Sequence, residues 1–378
     1  MLMRFGAKNF FCFKDWVEID LTFNSKVPDD VRTKGDVAEV LCLKGANSSG
    51  KTNALKILSF ISSFATKSFD RKPDEELQLD SYFENKDPVE FFVEFSIGTL
   101  IYTYELVVTN SSVLSEKLYR KEKRKTLVLE RTESEIVKNV LFDSKKEITF
   151  RKNASIISTA RQYQISEIDP IYHFFDSFVC NVNYSGHRHD FFDHSVLSEY
   201  YTKHPDVLEF VKAKIREFDT GVVDISIQSY DNEKSEKRFY PVFTHVNGDK
   251  TGSLLYYFES SGTKSLYIHL AFYFLTIRNG GVLVLDEFDI NLHPDILPKL
   301  LDIFENVESN PKRAQLVFST HNSDILDRMG KYRTVLFNKE DGASYCYRLD
   351  ELPPEVVRND RPIEPLYRSG RLGGVPKL

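Results

Sequence analysis

The stretch 38-AEVLCLK-44 is a continuous apolar run that passes without a linker into 45-GANSSGKT-52. The helix-spaced 53-NALKILSFISSF-64 follows at once, with apolar residues at 54, 55, 57, 58, 61 and 64. This pattern predicts a buried strand, a glycine loop and an amphipathic helix. Residues 1–23 alternate loosely and predict two short strands with a turn near Lys14 and Asp15, followed by a loop containing Pro28 and Gly35. From about 88 to 150 the chain is β-branched and aromatic, as in 89-VEFFVEFSIGTLIYTYELVV-108, which predicts antiparallel hairpins with a turn at Gly98. Between about 151 and 220 the spacing becomes helical. It is clearest in 205-PDVLEFVKAKIREF-218, where Val207, Leu208, Val211, Ile215 and Phe218 share one face. After a short strand at 222-VVDISIQ-228, strands and helices alternate through 281-GVLVLDEFD-289, 294-PDILPKLLDIF-304 and 313-RAQLVFST-320. No sustained heptads, repeats or low-complexity linkers interrupt this order. Three segments result: 1–150 with the glycine loop and the hairpins, a helical insert at 151–220, and 221–378.

Composition narrows the function classes. With 378 residues and 41% hydrophobic side chains the chain can bury a full core. A formal charge of −6 gives no general attraction to polyanions, so any nucleic-acid contact would be a local patch. Cys12, Cys42, Cys180 and Cys346 are scattered without a C-x-x-C pair, which indicates neither a zinc site nor a disulfide framework and suits a reducing, cytoplasmic setting. Arg4 and Lys8 interrupt the N-terminal apolar stretch, and no run of about 18 uncharged apolar residues occurs, so neither a signal peptide nor a membrane span is expected.

The stretch 45-GANSSGKT-52 fits G-x-x-x-x-G-K-[ST] at every fixed position, between the strand and helix that motif requires. Gly45 and Gly50 let backbone N–H groups close around phosphate oxygens, Lys51 reaches the β- and γ-phosphates, and the Thr52 hydroxyl suits Mg²⁺. The candidate nucleotide-binding set is Gly45, Asn47, Ser48, Ser49, Gly50, Lys51, Thr52 and Asn53. A phosphate-bound metal needs a second ligand, and 282-VLVLDEFD-289 offers Asp286 for Mg²⁺ and Glu287 to orient and deprotonate water. Such a strand is often only one that enters a solvated loop; the glycine loop gives it its meaning. His321, which ends 315-QLVFST-320, is placed to contact a γ-phosphate.

In order and context, 259-ESSGTKSL-266 is similar to the serine-glycine motif that opens a helix in ABC-type ATPases, including SMC-like and recombination-type heads. That resemblance implies that Ser260, Ser261 and Gly262 complete the γ-phosphate site of a second protomer, so that a homodimer or higher homo-oligomer encloses ATP and Mg²⁺. The plain alternative is an N-cap, Ser260 or Ser261 satisfying the first helical turn. Lys8 to Asp15, 286-DEFDINLHP-294, 319-STHNSDIL-326 and 368-RSGRLGGVP-376 further resemble the bacterial AAA-family ATPases grouped with abortive infection and the overcoming-lysogenisation-defect proteins. The resemblance spans the whole chain. It implies an α/β fold, an ABC-type ATPase head with a P-loop core sheet, an antiparallel β-subdomain and a mainly helical insert. It further implies a switch in anti-phage defence that acts through a separate effector, a nuclease or toxin, because no TOPRIM nuclease segment follows His321 here. No lid glutamine is identifiable; the context of Gln78 does not fit.

Other features are more ambiguous. The run 117-KLYRKEKRKTLVLER-131 is either a DNA-phosphate patch or a solvated hairpin tip, and its interspersed glutamates favour the tip. His187, His189, Asp190, Asp193 and His194 cluster without the ligand spacing of a familiar metal site. Phe10, Phe11 and Phe13 suit burial better than stacking on adenine. Rival readings are a repair or chromosome-maintenance clamp that binds DNA directly, a transporter motor subunit, and a nucleotide-locked scaffold that never hydrolyses.

Overall fold

The computed structural model describes all residues except 26, 30, 33–34, 143–147, 189–192, 219, 359–360 and 376–378. Along the chain, β1 (Leu2–Lys8) and β2 (Val17–Asp20) precede β3 (Val40–Gly45) and α1 (Lys51–Lys67). Five strands follow, β4 (Val89–Ile97), β5 (Leu100–Val108), β6 (Val113–Lys121), β7 (Lys125–Thr132) and β8 (Ile136–Asn139). Next come α2 (Ile156–Gln162), α3 (Asp169–Asp176), β9 (Phe178–Cys180), β10 (Val182–Asn183), β11 (Gly186–His187), α4 (His194–Lys203) and α5 (Pro205–Glu217). A meander of β12 (Val222–Asp231), β13 (Lys237–Asn247) and β14 (Lys250–Leu255) leads into α6 (Ser261–Asn279). The chain then runs through β15 (Val282–Leu285), α7 (Ile296–Glu305), β16 (Gln315–Ser319), α8 (Ile325–Met329), β17 (Thr334–Glu340), β18 (Ala343–Arg348) and α9 (Glu364–Arg368).

Two main sheets share the work. The core sheet has the order β18-β17-β3-β16-β15-β9, parallel except for the β17–β18 hairpin. Parallel register brings the carboxyl ends of β3, β15 and β16 to one edge, with Val317 opposite both Leu41 and Val284. An antiparallel sheet, β2-β1-β4-β5-β6-β7-β8, covers one face. Alternation along the core strands sorts their side chains. Leu41, Leu43, Val284, Val317 and Val335 pack with Ala54, Leu55, Leu58 and Ile61 of α1 and with Phe91 and Phe95 of the antiparallel sheet. Cys42, Leu283, Leu285 and Phe318 point the other way, toward Leu270, Tyr273, Leu300 and Phe304 on α6 and α7. The helix α1 is therefore buried between two sheets, as its apolar spacing predicts. Each such Leu or Phe contributes about 1.5–3 kcal/mol by leaving water.

Two buried polar side chains link separate parts of the fold through several hydrogen bonds each. Buried Gln315 accepts from Leu2 N at 2.6 Å and donates to Leu2 O and Ala38 O, both at 2.9 Å, joining the first antiparallel strand to β16. Deep in the antiparallel sheet, Arg131 (0% exposed) donates to Glu116 at 2.8 Å and to Ala154 O at 2.7 Å. Glu116 also accepts from Tyr104, from Ser155 and from the Ile156 N–H, so its carboxylate sits at the start of α2, where the helix dipole favours it. Within the basic run 117–131, Arg131 is thus an internal ion pair, Lys117 pairs with Glu130, and residues 121–126 form the exposed tip between β6 and β7.

Two differences from the sequence pattern have physical causes. The strand expected at 222–228 extends to Asp231 and pairs with β13, which in turn pairs with β14; β14 is exposed throughout and so carries no apolar alternation to read. Within 151–220, β9 leaves the helices and forms the edge of the core sheet beside β15, a three-residue strand too short for periodicity to reveal. Replacing Arg131 with Met should strand the Glu116 carboxylate and cost about 3–5 kcal/mol in urea unfolding, and the double variant Glu116→Gln/Arg131→Met should cost less than Arg131→Met alone.

Candidate nucleotide-binding site

The loop between β3 and α1 is shaped by its glycines. A Cβ on Gly45 would lie 2.6 Å from Phe337 O and 2.6 Å from Ser49 Oγ, so no side chain fits. Gly50 has φ 111° and begins α1 without any side-chain cap, leaving the first-turn N–H groups available to an anion. Lys51 is buried and folds back over the loop, donating to Gly45 O and Ala46 O, each at 2.9 Å. Burial depresses its pKa, while Asp286, Glu287 and Asp289 oppose that shift. The buried Ser49 hydroxyl has no hydrogen-bond partner among the described residues. A cradle that excludes side chains, an orphaned hydroxyl and a cation held only by carbonyls all fit a polyphosphate.

Asp286 closes the site from β15. Its carboxylate, 3% exposed, accepts from Thr52 Oγ1 at 2.7 Å and from the Ser319 hydroxyl of β16, while Asn181 beside β9 clasps its backbone at 2.7 and 2.9 Å. A hydroxyl and a carboxylate oxygen at this spacing are the hard donors that Mg²⁺ prefers. Glu287 has φ 52°, an uncommon conformation for a non-glycine residue, and its N–H donates to Ser319 Oγ at 2.9 Å. Asp289 accepts from the N–H groups of His321 and Asn322 at 3.2 and 3.0 Å, tying the loop after β15 to the loop after β16. Burial and the Lys51 charge lower the His321 pKa, so the ring is neutral near pH 7. Ala46, Asn47 and His321 line one side of a cleft of about 950 Å³.

The family profile described as "AAA domain, putative AbiEii toxin, Type IV TA system" matches residues 40–327, which include the loop, Asp286, Glu287 and His321. The chain belongs to this AAA-domain family. No curated protein matches it. Among solved structures, the SMC head domain from Thermotoga maritima aligns at 15% identity and TM-score 0.43, covering 92% of this chain and 98% of that one. A structure of the recombination mediator protein RecF-ATPrS in the RecFOR pathway aligns at 10% identity and TM-score 0.36, with coverage of 92% and 98%.

In this AAA domain Gly45–Thr52, Asp286, Glu287 and His321 converge at one sheet edge. Ser260, Ser261 and Gly262 lie at the start of α6. Ser260 is its N-cap, accepting from Thr263 N at 3.1 Å, and a Cβ on Gly262 would come 3.0 Å from Asn291 O. Asn53 turns away from the phosphate cradle and donates to Cys12 Sγ at 3.1 Å. Gln78 is exposed and shares a different hollow with Phe11 and Lys56; the amide beside Asp286 is Asn181. Phe10 and Phe13 are buried. Of the histidine cluster, His189 and Asp190 lie outside the described residues, and His194 stacks on Tyr256 at 4.3 Å. Among the described residues no three His, Cys, Asp or Glu side chains are grouped to hold a metal, and no helix is long and apolar enough to cross a membrane.

Four residues at the site have no motif of their own in the sequence reading: Asn181, Ser319, Asp289 and Lys44. Each sits at or just past the end of an apolar strand, and only the pairing of β9, β15, β16 and β3 reveals it. Lys44, 2% exposed, donates to His321 O at 2.6 Å, and burial pushes its pKa down to about 8. The folded chain therefore releases this proton before the unfolded chain does, so its penalty applies fully below pH 8 and is relieved as pH rises toward 10.5. Relative to Lys44→Met, wild-type unfolding free energy should rise by up to about 3 kcal/mol across that window in urea titrations at stepped pH.

Proposed function

We propose that the chain binds ATP with Mg²⁺ and hydrolyses it as an ABC-type ATPase that dimerises around the nucleotide. The contact of Thr52 with Asp286 at 2.7 Å, beside buried Lys51 at the start of α1, carries this reading. Residues Gly45 to Thr52 supply the cradle, with Lys51 against the terminal phosphates. Thr52 and Asp286 hold the Mg²⁺, which when bound neutralises charge on the phosphate oxygens. Glu287 takes the proton of the attacking water, and neutral His321 contacts the terminal phosphate. Ser260, Ser261 and Gly262 act on the nucleotide of the second protomer. Because the Ser260 hydroxyl already caps Thr263, the backbone N–H groups of that first turn do much of this work.

The output of the switch is anti-phage defence through a separate effector protein, a nuclease or toxin; the toxin-antitoxin description of the family supports that direction. Against a direct DNA clamp, the basic run 117–131 is partly internal and partly neutralised by Glu116, Glu130 and Glu105.

Lys51→Ala should abolish ATP binding in a fluorescent-nucleotide titration, and Glu287→Gln should keep binding while slowing phosphate release by about 100-fold or more. In cells challenged with phage, both variants should lose protection; full protection by both would exclude the defence role. By light scattering, Glu287→Gln should double in mass on addition of Mg-ATP, and Glu287→Gln/Ser260→Arg should stay at the mass seen without nucleotide. A mass that does not respond to nucleotide would remove the trans role of the serine-glycine stretch.

A further inference from the structure

We infer that Arg368 is a third cation of the nucleotide cleft, beside Lys44 and Lys51, and that it binds the terminal phosphate of ATP. This rests on the nucleotide reading above and goes beyond it. The cleft is lined by Ala46, Asn47 and His321 and also by Tyr367, Arg368 and Gly374. The last three belong to a strap, residues 367–375, that the fold holds firmly in place. Tyr367 Oη donates to Gly374 O at 2.9 Å, Gly374 N donates to Asn338 Oδ1 at 2.6 Å, Tyr347 Oη donates to Leu372 O, and Leu372 is buried. Gly373 and Gly374 both have φ 71°, and a Cβ on Gly373 would come 2.8 Å from Asn338 Oδ1. The backbone at Gly374 passes directly over the first residue of the loop, where even a Cβ would sit only 3.6 Å from Gly45 Cα. Glycine suits both positions because φ is positive and a Cβ would press on the side chains of Asn338, Tyr347 and Tyr367, and the result is to bring the end of α9 to the cleft.

The charges at the cleft point to the ligand. Lys44, at the floor, donates to the His321 carbonyl and lies over the Tyr367 ring, and the Asp289 charge favours its protonated form. Lys51 and Arg368 both press on its charge, so the three cations act in one space. Arg368 itself is 63% exposed, and its guanidinium rests on Glu364 and, at 3.2 Å, on Asp324. The pair with Asp324 is exposed on both sides and so weak, and a doubly charged phosphate can take the guanidinium from it. ADP lacks the group Arg368 would hold, and the arginine thereby separates ATP from ADP.

The test is a pair of titrations, with the slowly hydrolysed analogue ATPγS and with ADP, on the full chain with Mg²⁺. Arg368→Gln should weaken ATPγS binding about tenfold or more while ADP binding changes less than about twofold, and Arg368→Lys should recover part of the loss. Asp324→Asn, which frees the arginine without altering it, should leave ATPγS affinity unchanged or higher. Equal losses for both nucleotides in Arg368→Gln, no loss for either, or a loss in Asp324→Asn that matches it would overturn the inference. If wild type binds both nucleotides, Lys51→Ala binds neither and Arg368→Gln keeps the wild-type ratio, the inference alone fails. If wild type binds neither nucleotide, the ATP reading fails with it.

Discussion

A carboxylate taken out of water must be surrounded by donors, and Asp286, just past β15, gathers its partners from three distant segments. Thr52 at the start of α1 and Ser319 at the end of β16 donate to the carboxylate, while Asn181 from beyond β9 holds the backbone. Leaving such a group unpaired costs several kcal/mol, so the loop, the strand order and the register at this edge are mutually constrained. A shift of β15 by one residue would point Asp286 at α6 and α7, with nothing there to receive it. The same carboxylate is the natural seat for a divalent cation, so the group that fixes the edge is also the one its proposed chemistry needs.

The rest of the molecule serves that edge at a distance. The helix α1 is clamped between two sheets, so its N-terminus has little freedom to tilt. Gln315 links the sheets through a single amide, and Glu116 with Arg131 pins α2 and the hairpins far from the cleft. Damage at either place should lower stability without altering the residues at the phosphate cradle.

How far the sequence could be read follows from how local each signal is. The glycine loop, the apolar strands around it and the helix spacing at 54, 55, 57, 58, 61 and 64 depend on neighbours in the chain, and the structure places them accordingly. Asp286, Glu287 and His321 end apolar strands and were legible for the same reason. Asn181, Lys44 and Ser319 were not, since their roles depend on which strand lies beside which, and no short window holds that information. Arg131 looked like one more surface cation among many; only the partner at Glu116 and the carbonyls at 151 and 154 make it internal. The strand β14 escaped because an exposed strand need not alternate.

Position 287 holds a tension of its own. With φ 52° its backbone suits glycine or asparagine, and a glutamate there stores about 1–2 kcal/mol of strain, offset by the bond to Ser319 and by the turn that Asp289 secures. Substitution by glycine would relax the main chain while deleting the proposed base, giving a protein that is sturdier and inert. Screens for thermal tolerance would then drift toward silent variants at this residue, a stability–activity trade-off concentrated in one side chain.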